Sequence, residues 1–354
     1  MPTQQLRVGL VGYGFAGQTF HAPVLGAVPG MQLAAVASSQ PDKVRADWPG
    51  VAVEPDVHAL LAAHPSVDLI VVATPNEAHF PVARAALAAG RHVVVDKPFT
   101  LNAGEARELV DLARAKQKLI SVYQNRRFDS DFLTLRQMLD DGLVGRPVYF
   151  ESHFDRYRPD VRVRWREQKV PGAGLWVDLG SHLMDQAVQL FGRPDSVQLD
   201  TAALREGAVV EDYFHAVLKW DQGPHAPLRA VLHATTLAAD PSPRYILHGT
   251  RGSYVKYGVD PQEDALRTGA RPGGEGWGAD PDDGLLTLIG DTGQPQPSTV
   301  PTQPGDYTRY YAAVRDAIAG TGPNPVMPEE ALMLMELLDL GRRSAEEGRA
   351  LPTS

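Results

Sequence analysis

The sequence predicts an α/β chain in two parts: a parallel sheet wrapped by helices, then an α+β domain with an open, mostly antiparallel sheet. Three observations predict it. A glycine-rich turn, GYGFAG, follows the apolar run LRVGLV and opens a helical stretch. Short apolar runs then alternate with alanine- and leucine-rich stretches up to residue 123, the pattern of a parallel sheet covered on both faces. Beyond that point β-rich runs follow one another without intervening helices, as antiparallel strands do.

Bulk properties agree. The 354 residues exceed one ordinary domain of about 100–200 residues. Two domains are therefore expected, residues 1–123 and residues 124–354. The chain is 43% hydrophobic and 22% charged, an ordinary soluble composition. Its net charge of -9 gives no reason to expect nucleic acid as a partner. The absence of cysteine excludes disulfides, thiolate metal sites and cysteine nucleophiles. The apolar run at the N-terminus is short and broken by glycines, unlike a signal peptide or a membrane span, so no membrane partner and a cytoplasmic location are expected.

In order, LRVGLVGYG reads as a buried strand and residues 15–27 as a helix. LAAVASS, DLIVVATPN, RHVVVDKPF and KLISVYQN read as the next four strands, with HALLAAH and FPVARAALAAG as helices between them. LTLRQMLDDGLVG and GLWVDLGSHLMDQAVQLFG read as helices closed by glycine. SVQLDTAAL, DYFHAVLKW, LRAVLHATTLAA, RYILHGT and SYVKYG read as strands of the second sheet. Residues 269–305, rich in Gly, Pro and Asp, read as a long surface loop, and 306–320 and 328–347 as closing helices.

Gly12, Gly14 and Gly17 have the G-x-G-x-x-G spacing between a strand and a helix, the context in which that spacing is informative. The first glycine permits the tight turn, the second close approach to a pyrophosphate, the third helix–strand packing. Phe15 and Ala16 lie inside the turn, where free N–H groups of the helix start can meet phosphate. About 20 residues on, an acid ordinarily binds the ribose hydroxyls of NAD. Here Ser38 and Ser39 stand there, with Lys43 and Arg45 close by. Serine hydroxyls and a cation suit a 2′-phosphate, which a carboxylate would repel, so NADP(H) is expected over NAD(H). The competing reading is that the serines only begin a turn.

Lys97, in VVVDKPFT, stands just past a buried strand, at the edge where ligands bind in open sheets. Asp178 and His182 are spaced i, i+4 in VDLGSHLMD and share a helix face, with Asp185 nearby. A carboxylate beside imidazole can orient a proton-transfer group near neutral pH; a structural pair or a metal site is the alternative, zinc being disfavoured without further ligands. Thr74, Pro75, Asn76 and His79 follow the third strand and can touch the dinucleotide or cap the next helix. Asn125 and Arg127 in NRRF, and His153 and Arg156 in HFDRYRP, bring polar groups near the domain boundary.

GYGFAG, then DKP, then the D-x-x-x-H of DLGSH resemble, in order and separation, the Gfo/Idh/MocA oxidoreductases over nearly the whole chain. GYGFAGQTFHAP, NRRFDSDF, FESHFDRYRP and GTRGSYVKYG look like the subgroup with NADP-dependent scyllo-inositol dehydrogenases. The resemblance implies a Rossmann domain followed by an α/β domain whose open sheet makes homodimer or homotetramer contacts. It implies that Lys97 is the lysine of the family's E-K-P signature, with Asp96 where Glu is usual, and that Asp178 and His182 are the family's acid and histidine. Arg127 resembles a position that touches sugar hydroxyls, and Trp165 and Arg166 a stretch near the nicotinamide. Asp96 and Lys97 are accordingly expected at the cofactor, and Asn125, Arg127, His153, Trp165 and Arg166 at the substrate.

The expected reaction is hydride transfer between NADP(H) and a hydroxyl or keto carbon of a cyclic polyol or sugar, scyllo-inositol-like, with no metal. His182 serves as general base, Lys97 stabilises the developing alkoxide, and Asp178 holds a substrate hydroxyl or tunes His182. A reductase of another keto sugar or aldose, an NAD-dependent glycoside hydrolase and a non-catalytic NADPH sensor remain alternatives.

Overall fold

The computed structural model describes residues 5–240 and 242–353. The chain forms two compact units. One comprises Met1–Phe128, Gln262–Trp277 and Asp306–Met335; the other comprises Asp129–Pro261, Gly278–Gly305 and Glu336–Ser354. Two late segments thus pack with the N-terminal unit, a long-range arrangement that leaves no mark in local composition.

The first unit holds β1 (Leu6–Val11), β2 (Met31–Ala37), β3 (Ala52–Glu54), β4 (Leu69–Val72), β5 (His92–Val95) and β6 (Ile120–Val122). They lie in the order β3-β2-β1-β4-β5-β6, every pair parallel. Strand order reverses between β1 and β4, where open sheets form a ligand crevice at the strands' carboxyl ends. All four residues of β4, and Val93, Val94 and Val95 of β5, have no exposed surface. Strands covered on both faces must be apolar throughout, which is why their sequence shows runs rather than alternation. Within this sheet the strand without a counterpart in the sequence reading is β3, three half-buried residues at the sheet edge. Side-chain caps start two of the helices: Asp56 accepts from the Ala59 N–H before Val57–Ala63, and Asn102 from the Glu105 N–H before Ala103–Ala115.

The second unit is built on nine strands: β7 (Pro147–His153), β8 (Ser196–Ala202), β9 (Tyr213–Trp220), β10 (Leu228–Thr235), β11 (Tyr245–Gly249), β12 (Gly252–Lys256), β13 (Gly284–Ile289), β14 (Pro295–Val300) and β15 (Leu351–Pro352). Their order is β14-β13-β12-β11-β7-β10-β9-β8-β15. Only the β7–β10 pair is parallel, so the sheet is mixed and mostly antiparallel. β9 buries Phe214, Ala216, Leu218 and Trp220 and leaves Tyr213, His215, Val217 and Lys219 half-exposed. On the buried face lies the helix Ser181–Phe191, where Phe191 meets Phe150 edge-on at 5.4 Å.

Residues 269–305 are not one loop. β13 and β14 lie within them and pair as the outer hairpin of the sheet. Pro295 and Pro297 hide β14 from a sequence reading, because proline cannot donate to a ladder; an edge strand tolerates the loss. Among the described residues, no helix is long and apolar enough to cross a membrane.

A buried ion network stitches the second unit together. Arg244, 2% exposed, donates to Asp131 at 3.1 Å, to the Ser152 hydroxyl at 2.9 Å and to the Gln186 side chain at 2.9 Å. Removing one partner of such a pair strands the other charge without water. Arg244→Leu is therefore expected to cost about 3–5 kcal/mol in urea unfolding. A loss below about 1 kcal/mol would show that Asp131 is not held by this arginine.

Candidate active site

In the first unit the candidate residues lie at the carboxyl edge of the parallel sheet. At Gly12, φ is +99°, and a Cβ would lie 2.4 Å from the Ala73 carbonyl oxygen; one at Gly17 would lie 2.2 Å from the Gly12 oxygen. Both positions exclude any side chain. Gly14 differs, because a Cβ there would meet nothing within 4 Å. Its lack of a side chain serves no packing inside the protein and leaves room above the turn, as a passing pyrophosphate requires. The turn therefore fits a dinucleotide. The following helix begins at residue 15, runs through a π turn, Gly17–His21, and continues as Ala22–Gly26. Phe15 and Ala16 sit at its start, Phe15 about half-exposed with Arg267 5.5 Å from its ring.

Ser38 and Ser39 follow β2, Ser39 exposed and Ser38 half-buried. The Ser38 hydroxyl accepts the Gln40 N–H at 3.0 Å, so this serine shapes the turn into the helix Pro41–Asp47. Lys43 lies 5.9 Å from the Tyr13 ring, and the Tyr13 hydroxyl donates to Asp47 at 2.9 Å. Burial, then the bond to Asp47, pushes that phenol well above its ordinary range. Arg271 stacks over Trp48 at 5.3 Å. Tyr13, Asp47, Trp48 and Arg271 escape the sequence reading; the last comes from a distant segment and carries no local signal.

Thr74 and Pro75 follow β4, and Asn76 is buried in the one-turn helix Asn76–Ala78. The Thr74 hydroxyl is buried and has no hydrogen-bond partner within the protein. His79 is fully buried between two carbonyls, Pro98 at 2.8 Å and Thr74 at 3.0 Å. Burial lowers its pKa against the opposing pull of Asp96 and the two carbonyls, and the ring pins the strand ends. Asp96 accepts the Lys97 N–H at 2.8 Å, which fixes the backbone that presents Lys97. The Lys97–Pro98 peptide is cis. His21 stands 3.7 Å from the Asp96 carboxylate and 2.5 Å from the Tyr311 hydroxyl.

Asn125, Arg126 and Arg127 form the short helix Asn125–Phe128. Arg127 is buried and donates to Glu330 at 2.8 Å and to the Pro325 carbonyl at 3.1 Å, so its guanidinium ties two parts of the first unit. Arg126 is held likewise by Glu263.

A second group of candidate residues lies on one helix of the other unit. Asp178 sits in a second π turn, Trp176–Gly180, that runs into Ser181–Phe191, which carries His182. Trp176 fills the space left by two glycines: a Cβ at Gly180 or Gly341 would lie 2.4 or 2.6 Å from its ring. Its indole donates to the Leu338 carbonyl at 3.1 Å. His182 and Asp185 are each 4% exposed, and Asp178 is more open. Arg166, stacked 4.7 Å from the Trp165 ring, reaches the Asp178 carboxylate at 3.5 Å. Arg164, Arg166, Asp178, Arg205 and Glu211 line one narrow cavity. Burial raises the Glu211 carboxyl above its ordinary value. His153, by contrast, stands at the end of β7 among Glu151, Asp155 and His233.

Asp96 yields a pH dependence. Burial alone would raise its carboxyl, but the neighbouring His21, then Lys97 and His79, hold it down to about 2. A depressed carboxyl stabilises the fold above its unfolded value of about 4 and loses that contribution as pH falls toward the folded value. Asp96→Asn is expected to lose on the order of 2 kcal/mol at pH 7, the gap to the parent closing below about pH 4. Chemical unfolding at several pH values checks this, and a gap independent of pH would rule out the carboxylate as its source.

Residues 6–124 match the model for the oxidoreductase family NAD-binding Rossmann fold, and residues 136–353 that for the family's C-terminal alpha/beta domain. The uncharacterized oxidoreductase YdgJ of Escherichia coli is 52% identical over 99% of both chains. The scyllo-inositol 2-dehydrogenase (NADP(+)) IolW of Bacillus subtilis is 36% identical, covering 98% of this chain and 95% of its own. The solved structure of YPO2259 from Yersinia pestis superposes with a TM-score of 0.93 at 53% identity, over 98% of this chain and 97% of that one. With both family models matched and relatives of 52% and 36% identity spanning nearly the whole chain, the chain belongs to the Gfo/Idh/MocA family of NAD(P)-binding oxidoreductases.

Proposed function

We propose that this oxidoreductase acts on a secondary hydroxyl of a cyclic polyol or sugar, in the manner of a scyllo-inositol dehydrogenase, and prefers NADP(H) to NAD(H). The observation that carries the reading is that each unit presents its own group of suitable residues. A lysine is presented by Asp96 at the switch edge of the parallel sheet. An acid and a buried histidine stand one helical turn apart on the helix of the second unit.

When bound, the nicotinamide supplies the hydride acceptor or donor. The glycine turn would hold its pyrophosphate, and Thr74, with its buried hydroxyl, and Asn76 lie on the same edge. His182 takes the proton of the reacting hydroxyl and returns it in the reverse direction. Lys97 donates to the same oxygen and stabilises the charge that grows there, most strongly in the transition state. Asp178, already paired with Arg166, offers a hydrogen-bonding edge to a neighbouring hydroxyl and so fixes which carbon reacts.

The NADP preference rests on the serines that replace an acid after β2, and on Lys43 and Arg271 placed along that edge. The relative whose name carries NADP(+) supports it. A titration of nicotinamide fluorescence with NADPH and with NADH at one salt concentration tests it. Tighter NADPH binding is expected, and equal or tighter NADH binding would leave the serines as a turn only.

Lys97→Ala is expected to lower kcat about 10²–10³-fold with the polyol that turns over best, while NADPH affinity holds. Steady-state kinetics with inositols and sugars, beside the same fluorescence titration, decide it. Unchanged turnover would remove the lysine from the mechanism.

A further inference from the structure

A row of imidazoles crosses the half-exposed face of the second sheet and takes no part in the reaction above. His153 ends β7, His233 lies opposite it on β10, and His215 lies opposite His233 on β9. Their rings stand 5.5 and 5.7 Å apart in sequence across the strands. Asp155, two residues beyond β7, joins the row. One of its oxygens is 3.5 Å from His153 Nδ1, and the other is 3.5 Å from His233 Nε2. One ligand atom from each of the three residues lies within 4.8 Å of the others.

These separations are long for charge-assisted hydrogen bonds, which run about 2.7–2.9 Å. They are close to the spacing between neighbouring ligands around a tetrahedral ion with bonds of about 2.0–2.1 Å. The tautomer points the same way. His153 Nε2 donates to Glu151 at 2.6 Å, and Glu151 in turn accepts the Tyr149 hydroxyl. With its proton on Nε2, the imidazole turns the lone pair of Nδ1 toward the Asp155 carboxylate. That nitrogen is buried and has no hydrogen-bond partner. A lone pair facing a carboxylate is repulsive unless a proton or a metal ion lies between them, and the 3.5 Å separation is long for a shared proton. A carboxylate gripping the far nitrogen of a histidine is the usual support of a metal ligand. The Thr235 N–H, donating to Asp155 at 3.1 Å, fixes the carboxylate in the same way. The three side chains keep 16%, 6% and 18% of their surface exposed, enough for an ion to enter from solvent.

We propose that His153 Nδ1, Asp155 and His233 Nε2 form a divalent metal site, with water completing the shell. Two imidazoles and one carboxylate suit zinc and its borderline neighbours rather than calcium or magnesium. The bound ion would fasten the chain leaving β7 to the end of β10, within the second unit alone.

The test is zinc uptake by the full chain, stripped with chelator and titrated with zinc against a chromogenic competitor. One zinc per chain is expected. Asp155→Asn and His233→Gln should each weaken binding at least about a hundredfold, and Glu151→Gln, which keeps every ligand, about tenfold. His248→Gln, at an exposed imidazole elsewhere on the sheet, should bind as the parent does. Cobalt should give the visible spectrum of a four-coordinate N/O site in the parent and not in His233→Gln. Circular dichroism of the metal-free proteins confirms folding, and Glu151→Gln decides if a ligand variant fails to fold. Absence of stoichiometric zinc in the parent, or unchanged affinity in Asp155→Asn, His233→Gln and Glu151→Gln alike, overturns the site and leaves a shared proton between His153 and Asp155 as the cation.

Discussion

The edge of the first sheet depends on one close backbone contact. Gly12 lies so near the Ala73 carbonyl, and Gly17 so near the Gly12 carbonyl, that neither can carry a Cβ. This contact brings the end of β1 against the end of β4 and starts the helix of residues 15–26 at the place where strand order reverses. The neighbouring strand ends are then tied by His79, whose two ring nitrogens meet the carbonyls of Thr74 and Pro98. Lys97 sits in the loop so fixed, its own N–H given to Asp96. The position of Lys97 thus follows from apolar strands and a glycine contact, with the Asp96 carboxylate holding its backbone.

Most strands were legible because burial on two faces demands continuous apolar runs, and the glycine spacing was legible because its cause is steric. β7 and β13 escaped although they are ordinary strands, and two others had no periodic signature. β3 is three residues long, and β14 contains two prolines that an edge strand can bear. The π turns also escaped. Gly17–His21 and Trp176–Gly180 each open a helix that bears the site, and each takes an extra residue into a turn. At the second, Trp176 wedged between Gly180 and Gly341 shows why: the deciding neighbour is remote in sequence.

The same limit governs the side chains. Lys97, Asp178 and His182 could be singled out because residue type and spacing carry their chemistry. Partner choice could not be read. Arg127, expected beside a sugar, is engaged by Glu330 and the Pro325 carbonyl, and Arg166 meets Asp178 across a stretch with no regular spacing. His153 was noticed as a polar group, but its companions Asp155 and His233 are assembled by the β7–β10 register. Residue identity shows what a group can do; which other groups it can do it with is set by strand pairing.

Net charge misleads for the same reason. At -9 the chain is acidic, yet arginines crowd the cavity beside Asp178. The fold neutralises them locally. Arg205 is buried against Asp212 at 2.8 Å and Glu167 at 3.2 Å, so it shapes the wall without offering free charge. Arg166 and Asp178 are both partly open and 3.5 Å apart, a separation at which each still has hydrogen-bonding capacity to spare. A wall of paired, partly open donors and acceptors suits a neutral, many-hydroxyl ligand, which needs geometry rather than field. An anionic substrate would instead require an uncompensated cation, and along this cavity Arg164, Arg166 and Arg205 are each answered by a carboxylate.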